Sequence, residues 1–394
     1  MSSPHVVAET DAPRASAGQY EAALHLTTPE MAHIVPCTSY VEAANYLDGA
    51  VFERERETIF TALPIPLALS QDLPQGGSYR AVTLGGVSVL LTRTKAGEAH
   101  AFLNACRHRG TRLLGSDQGG CGAKLTCPYH AWTYNLEGQL IGVPRAEVFV
   151  DFDKSQHGLV RLPCREAGGL VWVSLDRDRP ITDETIGTEL IGDFDAIGLS
   201  GMRLFRAEAF DLDANWKLVT DAFLEGYHVT RLHAKTLARF FVDAPQMIER
   251  IGRHLRQTSG SRKGFSAADV SPLWPELRKS VVYAYIAFPN VVVVTSPTYV
   301  SVVIQTPLAR NRTHVRYAML VEAGSEGTDI DRLHEKSYKL MSEAFGNEDF
   351  RAAELSQEGL ETGALERLTL GGMEQGVRRF HDLVDECTGL FGAA

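Results

Sequence analysis

Four potential metal ligands lie close together in the first half of the chain. Cys106 and His108 form a Cys-x-His pair, and Cys127 and His130 form a Cys-x-x-His pair, with 18 residues between His108 and Cys127. Thiolates and imidazoles are the ligands that hold zinc ions and certain iron–sulfur clusters in proteins. The spacing therefore predicts a metal centre held by two short loops, each of which supplies one sulfur and one nitrogen ligand.

The mixed composition of each loop distinguishes two kinds of metal centre. A Cys2His2 zinc site is one possible interpretation, but zinc fingers usually take two cysteines from one element and two histidines from another. In a Rieske [2Fe-2S] cluster, two cysteines hold one iron and two histidines hold the other, so each of two loops supplies one of each. We therefore predict that these four residues bind such a cluster, and that Cys121, which has no place in the pattern, does not.

A second pair of histidines, His228 and His233, follows in "NWKLVTDAFLEGYHVTRLH", residues 215–233. Five-residue spacing puts two side chains about 140° apart on an ideal helix, so the helix must end or distort between them if both bind one metal. Two histidines and one carboxylate, with open coordination positions, form the facial triad of non-heme Fe(II) oxygenases. The pair by itself is also compatible with exposed or hydrogen-bonded histidines.

The sequence around these motifs indicates an α+β protein with two domains. Strand-like segments broken by Gly-Gly and Ala-Gly turns predict an all-β domain over residues 65–177. Over residues 178–394, a linker is followed by a strand, a helix that begins near Asn215, several β segments and terminal helices. That order predicts an antiparallel sheet packed against long helices. We expect residues 1–37 to be flexible and residues 38–64 to form a helical part of the second domain.

Composition excludes several other classes of protein. At 394 residues and 44% hydrophobic, the chain can bury a large core, yet it has no apolar run near the roughly 20 residues of a membrane span and no signal-peptide pattern. Six cysteines are too few for a disulfide scaffold and would stay reduced in the cytosol. A net charge of -10 argues against nucleic acid or an anionic membrane as partner. We therefore expect a cytoplasmic globular protein.

Four segments give the chain a resemblance to a known family: "CRHRG", "CPYHAWTYNLEGQL", "NWKLVTDAFLEGYHVTRLH" and "EDFRAAELSQEGL". The chain resembles the α subunit of a Rieske non-heme iron oxygenase, the family of aromatic ring-hydroxylating dioxygenases and oxidative demethylases. The resemblance covers nearly everything after about residue 38. It implies an all-β Rieske [2Fe-2S] domain joined to a helix-grip catalytic domain, in a homotrimer of α subunits with or without a β subunit.

The resemblance also implies the ligands of a second metal, a mononuclear Fe(II). His228 and His233 would bind this iron, and Asp349 in "NEDFRAAELSQEGL" would be its carboxylate ligand. An acidic first turn of a surface helix is the alternative interpretation of that segment. The neighbouring carboxylates of Glu348 and Glu354 stay open as alternative third ligands.

Two further acidic residues receive catalytic roles from the resemblance. Glu225, three residues before His228, takes the position of the acidic residue that bridges the iron's histidine to a Rieske histidine of the neighbouring subunit. On a continuous helix the two side chains would share one face. Asp221 stands where many family members have Asn. It is therefore a second, less typical candidate for a catalytic carboxylate. A solvated surface is the alternative for both carboxylates.

The implied function is that of a terminal oxygenase component. It would use O2 and electrons from NAD(P)H, delivered by a separate reductase or ferredoxin, because the chain has no GxGxxG nucleotide-binding motif. The reaction would hydroxylate or oxidatively dealkylate a small molecule. Two other classes stay open: a Rieske electron-transfer protein without catalytic iron, and a zinc-stabilised ligand-binding module.

The substrate is predicted from the segment over residues 234–265. Aromatic and aliphatic side chains alternate there with arginines, which suits an apolar or aromatic substrate with an anionic end; a basic amphipathic lid is the alternative interpretation. A quaternary ammonium compound is the alternative substrate. The residues concerned are Phe240, Phe241, Met247, Ile248, Arg239, Arg250, Arg253, Arg256 and Arg262.

Overall fold

The structure is a computed structural model that describes residues 12–26, 36–115, 118–120, 122–240, 247–261 and 270–391. Antiparallel sheets and helices occur in both halves of the described chain, and the predicted α+β class is confirmed. Among the described residues, no helix has both the length and the apolar character needed to cross a bilayer.

The N-terminal elements pack against residues far along the chain. They are α1 (Ala17–His25), β1 (Ser39–Glu42), α2 (Ala44–Leu47), α3 (Gly49–Glu55) and a π-helix (Arg56–Phe60). The prediction of a flexible segment over residues 1–37 is wrong for α1, which begins with a capping box formed by Ser16 and Gln19. The Gln19 side chain is fully buried and donates to the Tyr285 hydroxyl at 2.9 Å, so polar residues anchor this helix.

The first β unit consists of short strands that run from Ile65 to Val173. Its elements are β2 (Ile65–Leu69), β3 (Ser78–Leu84), β4 (Val87–Arg93), β5 (Ala99–Leu103), β6 (Gln118–Gly120), β7 (Leu125–Thr126), β8 (Thr133–Tyr134), β9 (Leu140–Gly142), β10 (Arg161–Leu162), β11 (Cys164–Ala167) and β12 (Leu170–Val173), with 3-10 turns at Ser70–Asp72, Ala146–Val148 and Lys154–His157. Within the described residues the sheet orders are β10-β5-β4-β3-β6, β11-β12-β2 and β7-β8-β9. The predicted Gly-Gly turn joins β3 to β4: both Gly85 and Gly86 have positive φ, as a tight hairpin turn requires.

The second unit is built on one antiparallel sheet with the order β13-β19-β18-β17-β16-β15-β14 in the described chain. Its strands are β13 (Arg203–Leu212), β14 (Met247–Ile251), β15 (His254–Gly260), β16 (Val281–Ala287), β17 (Val291–Thr295), β18 (Tyr299–Ala309) and β19 (Arg312–Val321), and β20 (Arg367–Leu370) pairs separately with β1. Helical elements are α4 (Asp183–Ile186), α5 (Thr188–Ile197), α6 (Trp216–Asp221), α7 (Val229–Leu232), α8 (Trp274–Ser280), α9 (Asp329–Glu343), α10 (Arg351–Glu361), α11 (Gln375–Thr388), a π-helix (Ala344–Phe350), and 3-10 turns at Leu199–Gly201, Ala238–Phe240 and Gly372–Glu374.

The two faces of this sheet bury different helices. Alternate residues of a strand point to opposite faces. Val315 and Tyr317 of β19 lie in the core formed with α9, α10 and α11, whereas Ala318 and Leu320 lie in the core formed with α1, α5 and α8. The long C-terminal helices therefore cover one face of the sheet and bring the "NWKLVTD" helix α6 between them and the strands.

Candidate metal centres and active site

Two loops of the first β unit bring the four predicted cluster ligands together. The imidazole rings of His108 and His130 have centroids 4.6 Å apart, and the thiols of Cys106 and Cys127 are both buried. The first loop leaves β5 and the second connects β7 to β8. Cys121, the cysteine excluded from the predicted site, lies outside the described residues.

Backbone hydrogen bonds close both loops into tight turns. The Cys106 amide donates to the Thr111 carbonyl at 2.8 Å, and the Cys127 amide donates to the Trp132 carbonyl at 2.8 Å. In the second loop Ala131 has a φ of 55°, a left-handed backbone conformation that residues other than glycine rarely adopt. Such strain persists where the surrounding structure fixes it, often at functional sites. Each loop therefore presents its cysteine and histidine from a fixed turn.

The surroundings of the four side chains fit an iron–sulfur cluster. The Tyr134 hydroxyl lies 3.2 Å from Cys106 Sγ, in place to donate a hydrogen bond to a cysteine sulfur. Burial raises the pKa of Cys106, so a thiolate there needs a cation. Burial and the neighbouring His130 lower the pKa of His108, which favours the neutral imidazole that binds metal. His108 Nδ1 is buried and has no hydrogen-bond partner among the described residues.

The two histidines of the second motif flank a very short helix. α7 contains only Val229–Leu232; His228 precedes it and His233 follows it. The helix thus ends between the two histidines, as their spacing required, and their ring centroids lie 5.0 Å apart. Ending the helix after one turn lets both Nε2 atoms face the same point.

The third residue of this centre comes from a π-helix. Asp349 lies in Ala344–Phe350, a stretch of wider turns between α9 and α10 of the kind that is frequent at functional sites. Its Oδ1 atom lies 3.0 Å from His233 Nε2 and 3.5 Å from His228 Nε2. One ligand atom from each of the three residues lies within 4.8 Å of the other two. The structure therefore brings His228, His233 and Asp349 together.

The geometry and electrostatics of these three residues fit a divalent metal. Ligands with bonds of about 2.1 Å on adjacent corners of an octahedron lie about 3 Å apart, close to the separations found here. Burial raises the pKa of Asp349 despite the adjacent imidazoles, and its Oδ1 atom accepts no hydrogen bond of good geometry from the described residues. A cation among the three ligand atoms would keep this carboxylate ionised.

The two alternative carboxylates take other positions. Glu348 Oε2 accepts hydrogen bonds from Nδ1 of His233 and from the Thr236 hydroxyl, both at 2.6 Å. The carboxylate of Glu354 accepts from the Asp213 amide at 3.3 Å and pairs with Arg351 at 3.1 Å. Glu348 thus orients the far side of a metal-facing imidazole, a role that sequence reasoning missed. The only sequence signal is its position next to Asp349.

Glu225 contacts His228, but through a turn instead of a helix face. α6 ends at Asp221, so the prediction of a shared helix face for Glu225 and His228 is wrong. The Glu225 carboxylate accepts from Nδ1 of His228 and from the amides of Tyr227 and His228. These bonds fix the ring of His228 in the same way that Glu348 fixes that of His233.

Asp221 belongs to a buried hydrogen-bond network that sequence reasoning missed. The Tyr46 hydroxyl donates to Asp221 Oδ2 at 2.7 Å and lies 2.8 Å from Nε2 of His381, which itself lies 3.3 Å from Asp221 Oδ1. α11, which carries His381, also comes close to the turn before Glu225: a Cβ on Gly376 would overlap the carbonyl oxygen of Leu224. Helix α2 near the start of the chain and helix α11 near its end therefore both contact the end of α6 and the turn that follows it.

The segment predicted to line the substrate pocket has a different role in its described part. Met247–Ile251 and His254–Gly260 are strands of the main sheet, not a lid. Arg250 forms a bidentate ion pair with Glu386 at 2.6 and 2.8 Å, and the buried Arg256 pairs with Asp193 at 2.8 Å. These arginines are neutralised by carboxylates and do not form a cationic pocket wall. Phe241 and Arg262 lie outside the described residues.

Comparison with known families matches the two units separately. The family described as "Ring hydroxylating alpha subunit (catalytic domain)" matches residues 199–389, and the "Rieske [2Fe-2S] domain" matches residues 64–153. Among solved structures, a quaternary ammonium Rieske monooxygenase is 23% identical, with a TM-score of 0.76 and coverage of 89% of this chain and 96% of that chain. Naphthalene 1,2-dioxygenase from Rhodococcus sp. is 21% identical, with a TM-score of 0.75 and coverage of 96% and 100%. These likenesses confirm the predicted fold.

Curated relatives act on two kinds of substrate. The glycine betaine monooxygenase oxygenase subunit of Pseudomonas aeruginosa is 34% identical over 192 residues, which are 49% of this chain and only 44% of that relative. The match therefore spans less than half of that relative's length. The 2-aminobenzenesulfonate 2,3-dioxygenase subunit alpha of Alcaligenes sp. is 27% identical over 370 residues, 88% of this chain and 93% of the relative.

Proposed function

Because the chain belongs to the α subunits of Rieske non-heme iron oxygenases, we propose that it is a terminal oxygenase that uses O2 and externally supplied electrons to oxidise a small organic molecule. One observation carries the proposal: a triad of His228, His233 and Asp349, of which His233 and Asp349 are buried, occurs in the same chain as two mixed Cys/His loops. When bound, the [2Fe-2S] cluster supplies single electrons and the mononuclear iron supplies O2 activation.

The side chains around the triad hold its imidazoles in fixed orientations. Glu348 and Glu225 each accept a hydrogen bond from the Nδ1 atom of one histidine, so both Nε2 atoms are free to face Asp349. A hydrogen bond from Nδ1–H to a carboxylate fixes the tautomer and the ring orientation and raises the basicity of a histidine ligand. His233 and Asp349 are buried next to the apolar core, whereas the His228 side chain is partly exposed.

Electrons would come from a separate reductase or ferredoxin. The cluster loops offer an exposed surface for such a donor: Tyr129 is 56% exposed, packs against His130 at a centroid distance of 3.6 Å and lies beneath the Arg109 guanidinium. We also propose a homotrimer in which Glu225 links His228 to a cluster histidine of the next subunit. The reduced thiols that the cluster needs support a cytoplasmic location.

The substrate that we propose is aromatic or similarly apolar. The π-helix that carries Asp349 also carries Phe345, which packs edge-on against Phe223 and Tyr317 at centroid distances of 5.2 and 5.1 Å. This aromatic cluster adjoins the triad and supports an apolar reaction site. A quaternary ammonium compound is the second candidate, because the glycine betaine relative is the more similar of the two in the matched region and aromatic rings also bind such cations.

Metal content tests the proposed function directly. We expect about three irons per chain; about two would indicate an electron carrier, and zinc without visible absorbance a structural metal site. His228→Ala should abolish turnover and leave the cluster absorbance. Cys127→Ala should remove the cluster absorbance and exposed Cys37→Ala should keep it. Loss of the cluster in a folded His228→Ala protein would contradict two separate sites.

Glu225→Gln tests the link between subunits. The substitution keeps the size of the side chain but removes the charge that accepts from His228 Nδ1. We expect both metals to stay bound while reoxidation of a pre-reduced cluster, measured in a single turnover with substrate and O2, slows by orders of magnitude. Reoxidation at the wild-type rate in a fully iron-loaded variant would reject the bridge.

A substrate screen separates the two substrate classes. Holoprotein would be incubated with O2, NADH and a surrogate reductase, and products would be identified by mass spectrometry from matched pairs such as an N,N-dimethylaniline and its N,N,N-trimethylanilinium ion. Preferential oxidation of the neutral member supports the apolar substrate. Preferential oxidation of the cation supports the quaternary ammonium alternative.

A further inference from the structure

A cavity of about 370 Å³ lies between the Rieske domain and the catalytic sheet. Strand β3 and the cluster loop line one side of it, and strands β18 and β19 line the other. Its polar lining includes Arg80, Thr83, Arg112, Thr306, His314 and Arg316. The volume lies within the range typical of pockets for small organic ligands.

This cavity is on the opposite face of the sheet from the iron site. Side chains alternate along a strand, and Tyr317 points to the face where it packs against Phe345 of the π-helix. Its neighbour Arg316 points to the other face and lines the cavity, as does Ile304 on the adjacent strand. A molecule bound there would therefore not occupy the substrate position beside Asp349.

The lining carries an excess of positive charge although the whole chain has a net charge of -10. Both terminal nitrogens of Arg316 donate to Asp72, at 2.6 and 3.2 Å, and Arg80 lies 3.2 Å from the same carboxylate. One fully buried carboxylate thus serves two guanidinium groups. The exposed Arg112 has no carboxylate within ion-pair distance in the part of the chain that the structure describes.

The other side chains complete a surface for a ligand with one charged end. Asp211, the one carboxylate that lines the cavity in the described chain, already pairs with His314 at 2.8 Å. Hydroxyl groups, including that of Thr306, add neutral hydrogen-bond donors, while Leu67 and Ile304 provide buried apolar walls. Guanidinium groups bind carboxylate and sulfonate oxygens in paired, charge-assisted hydrogen bonds.

We propose that this cavity is a binding site for a small organic anion, with a carboxylate or sulfonate head toward the arginines and a short apolar body against Leu67 and Ile304. Such a ligand contacts β3 of the Rieske domain and β19 of the catalytic sheet at once. It therefore joins the two domains at a site distinct from that of the substrate.

Isothermal titration calorimetry on the metal-loaded holoprotein tests the site with two aliphatic probes, hexane-1-sulfonate and the neutral hexane-1-sulfonamide. We expect the sulfonate to bind and the sulfonamide to bind at least about tenfold more weakly, since only the sulfonate accepts charge-assisted hydrogen bonds from the arginines. Arg112→Glu should weaken sulfonate binding at least about tenfold. Arg312→Glu, the same charge change at an exposed position of β19 outside the cavity, should leave it within about twofold.

A second variant keeps the charges and changes only the space. Thr306→Phe fills the cavity from β18 and should abolish sulfonate binding, while His228→Ala at the iron site should leave it unchanged. Equal binding of sulfonate and sulfonamide, no binding of either, or equal effects of Arg112→Glu and Arg312→Glu would overturn the proposal. Loss of sulfonate binding in His228→Ala would indicate that the anion binds at the iron site, and it would overturn the proposal as well. No outcome depends on turnover, so failure here leaves the proposed oxygenase activity untouched.

Discussion

Glu348→Gln should weaken iron binding at the catalytic site by roughly tenfold to a hundredfold. Glu348 accepts from His233 Nδ1 and from the Thr236 hydroxyl, each at 2.6 Å, and these bonds turn His233 Nε2 toward Asp349. Glutamine keeps the size and one acceptor oxygen but removes the negative charge, so the bond to the imidazole changes from charge-assisted to neutral. That change costs about 1.4 to 2.8 kcal/mol, which corresponds to the expected factor in affinity.

The assay is an anaerobic titration of iron-depleted catalytic sites with Fe(II) against a colorimetric chelator, which gives the dissociation constant without turnover. Glu354→Gln is the matched control, because it is the same change at a carboxylate that contacts the Asp213 amide and Arg351 but no histidine of the triad. Cluster absorbance should be equal in both variants and the wild type. If Glu348→Gln binds iron as tightly as Glu354→Gln does, the orienting role of Glu348 is refuted.

Three further changes test a buried ion pair and two contacts near the metal centres. Glu55→Gln leaves the fully buried ammonium group of Lys217 without its charged partner and should lower the free energy of unfolding by about 3–5 kcal/mol. Glu53→Gln, in an exposed ion pair, should change the free energy of unfolding little. Equal denaturation midpoints for the two variants would contradict this prediction. Gly376→Ala forces α11 away from the turn before the histidine pair and should weaken Fe(II) binding with the cluster absorbance intact, and wild-type affinity would show that the turn adapts. Tyr134→Phe removes a hydrogen bond to a cluster cysteine and should lower the reduction potential in a redox titration; an unchanged potential would exclude that bond.

Much of what the sequence could predict about the metal centres follows from the spacing of residues that are close in sequence. The cluster loops are predictable because each pair of ligands lies within four residues and each loop closes through its own backbone, as between Cys127 and Trp132. A five-residue spacing predicts a break in the helix at His228 and His233, and the structure has a helix of only four residues between them. The helix predicted to begin near Asn215 ends earlier, at Asp221. In both cases the information lies in a short stretch of chain.

Long-range contacts account for most of what the sequence could not predict. Tyr46 and Asp221 are 175 positions apart, and no pattern in either segment indicates their hydrogen bond. The pairing of Arg256 with Asp193 neutralises a charge that, in sequence alone, suggested a cationic pocket. The polar start of the chain suggested flexibility, but Gln19 is buried because distant polar groups satisfy its side chain. Tertiary partners, not local propensity, decide each of these positions.

The closure of the iron site by α11 has a consequence for synthesis of the protein. Chains grow at about 5–20 residues per second, so the roughly 140 residues between His233 and α11 take about 7 to 28 seconds to be synthesised. Until then Asp221 lacks its contact with His381, and Leu224 in the turn before the histidine pair lacks its close contact with Gly376. The Rieske loops, in contrast, close on themselves and need no later segment for their backbone bonds. On the ribosome the cluster loops are therefore complete first, and the iron site has to wait for the last long helix.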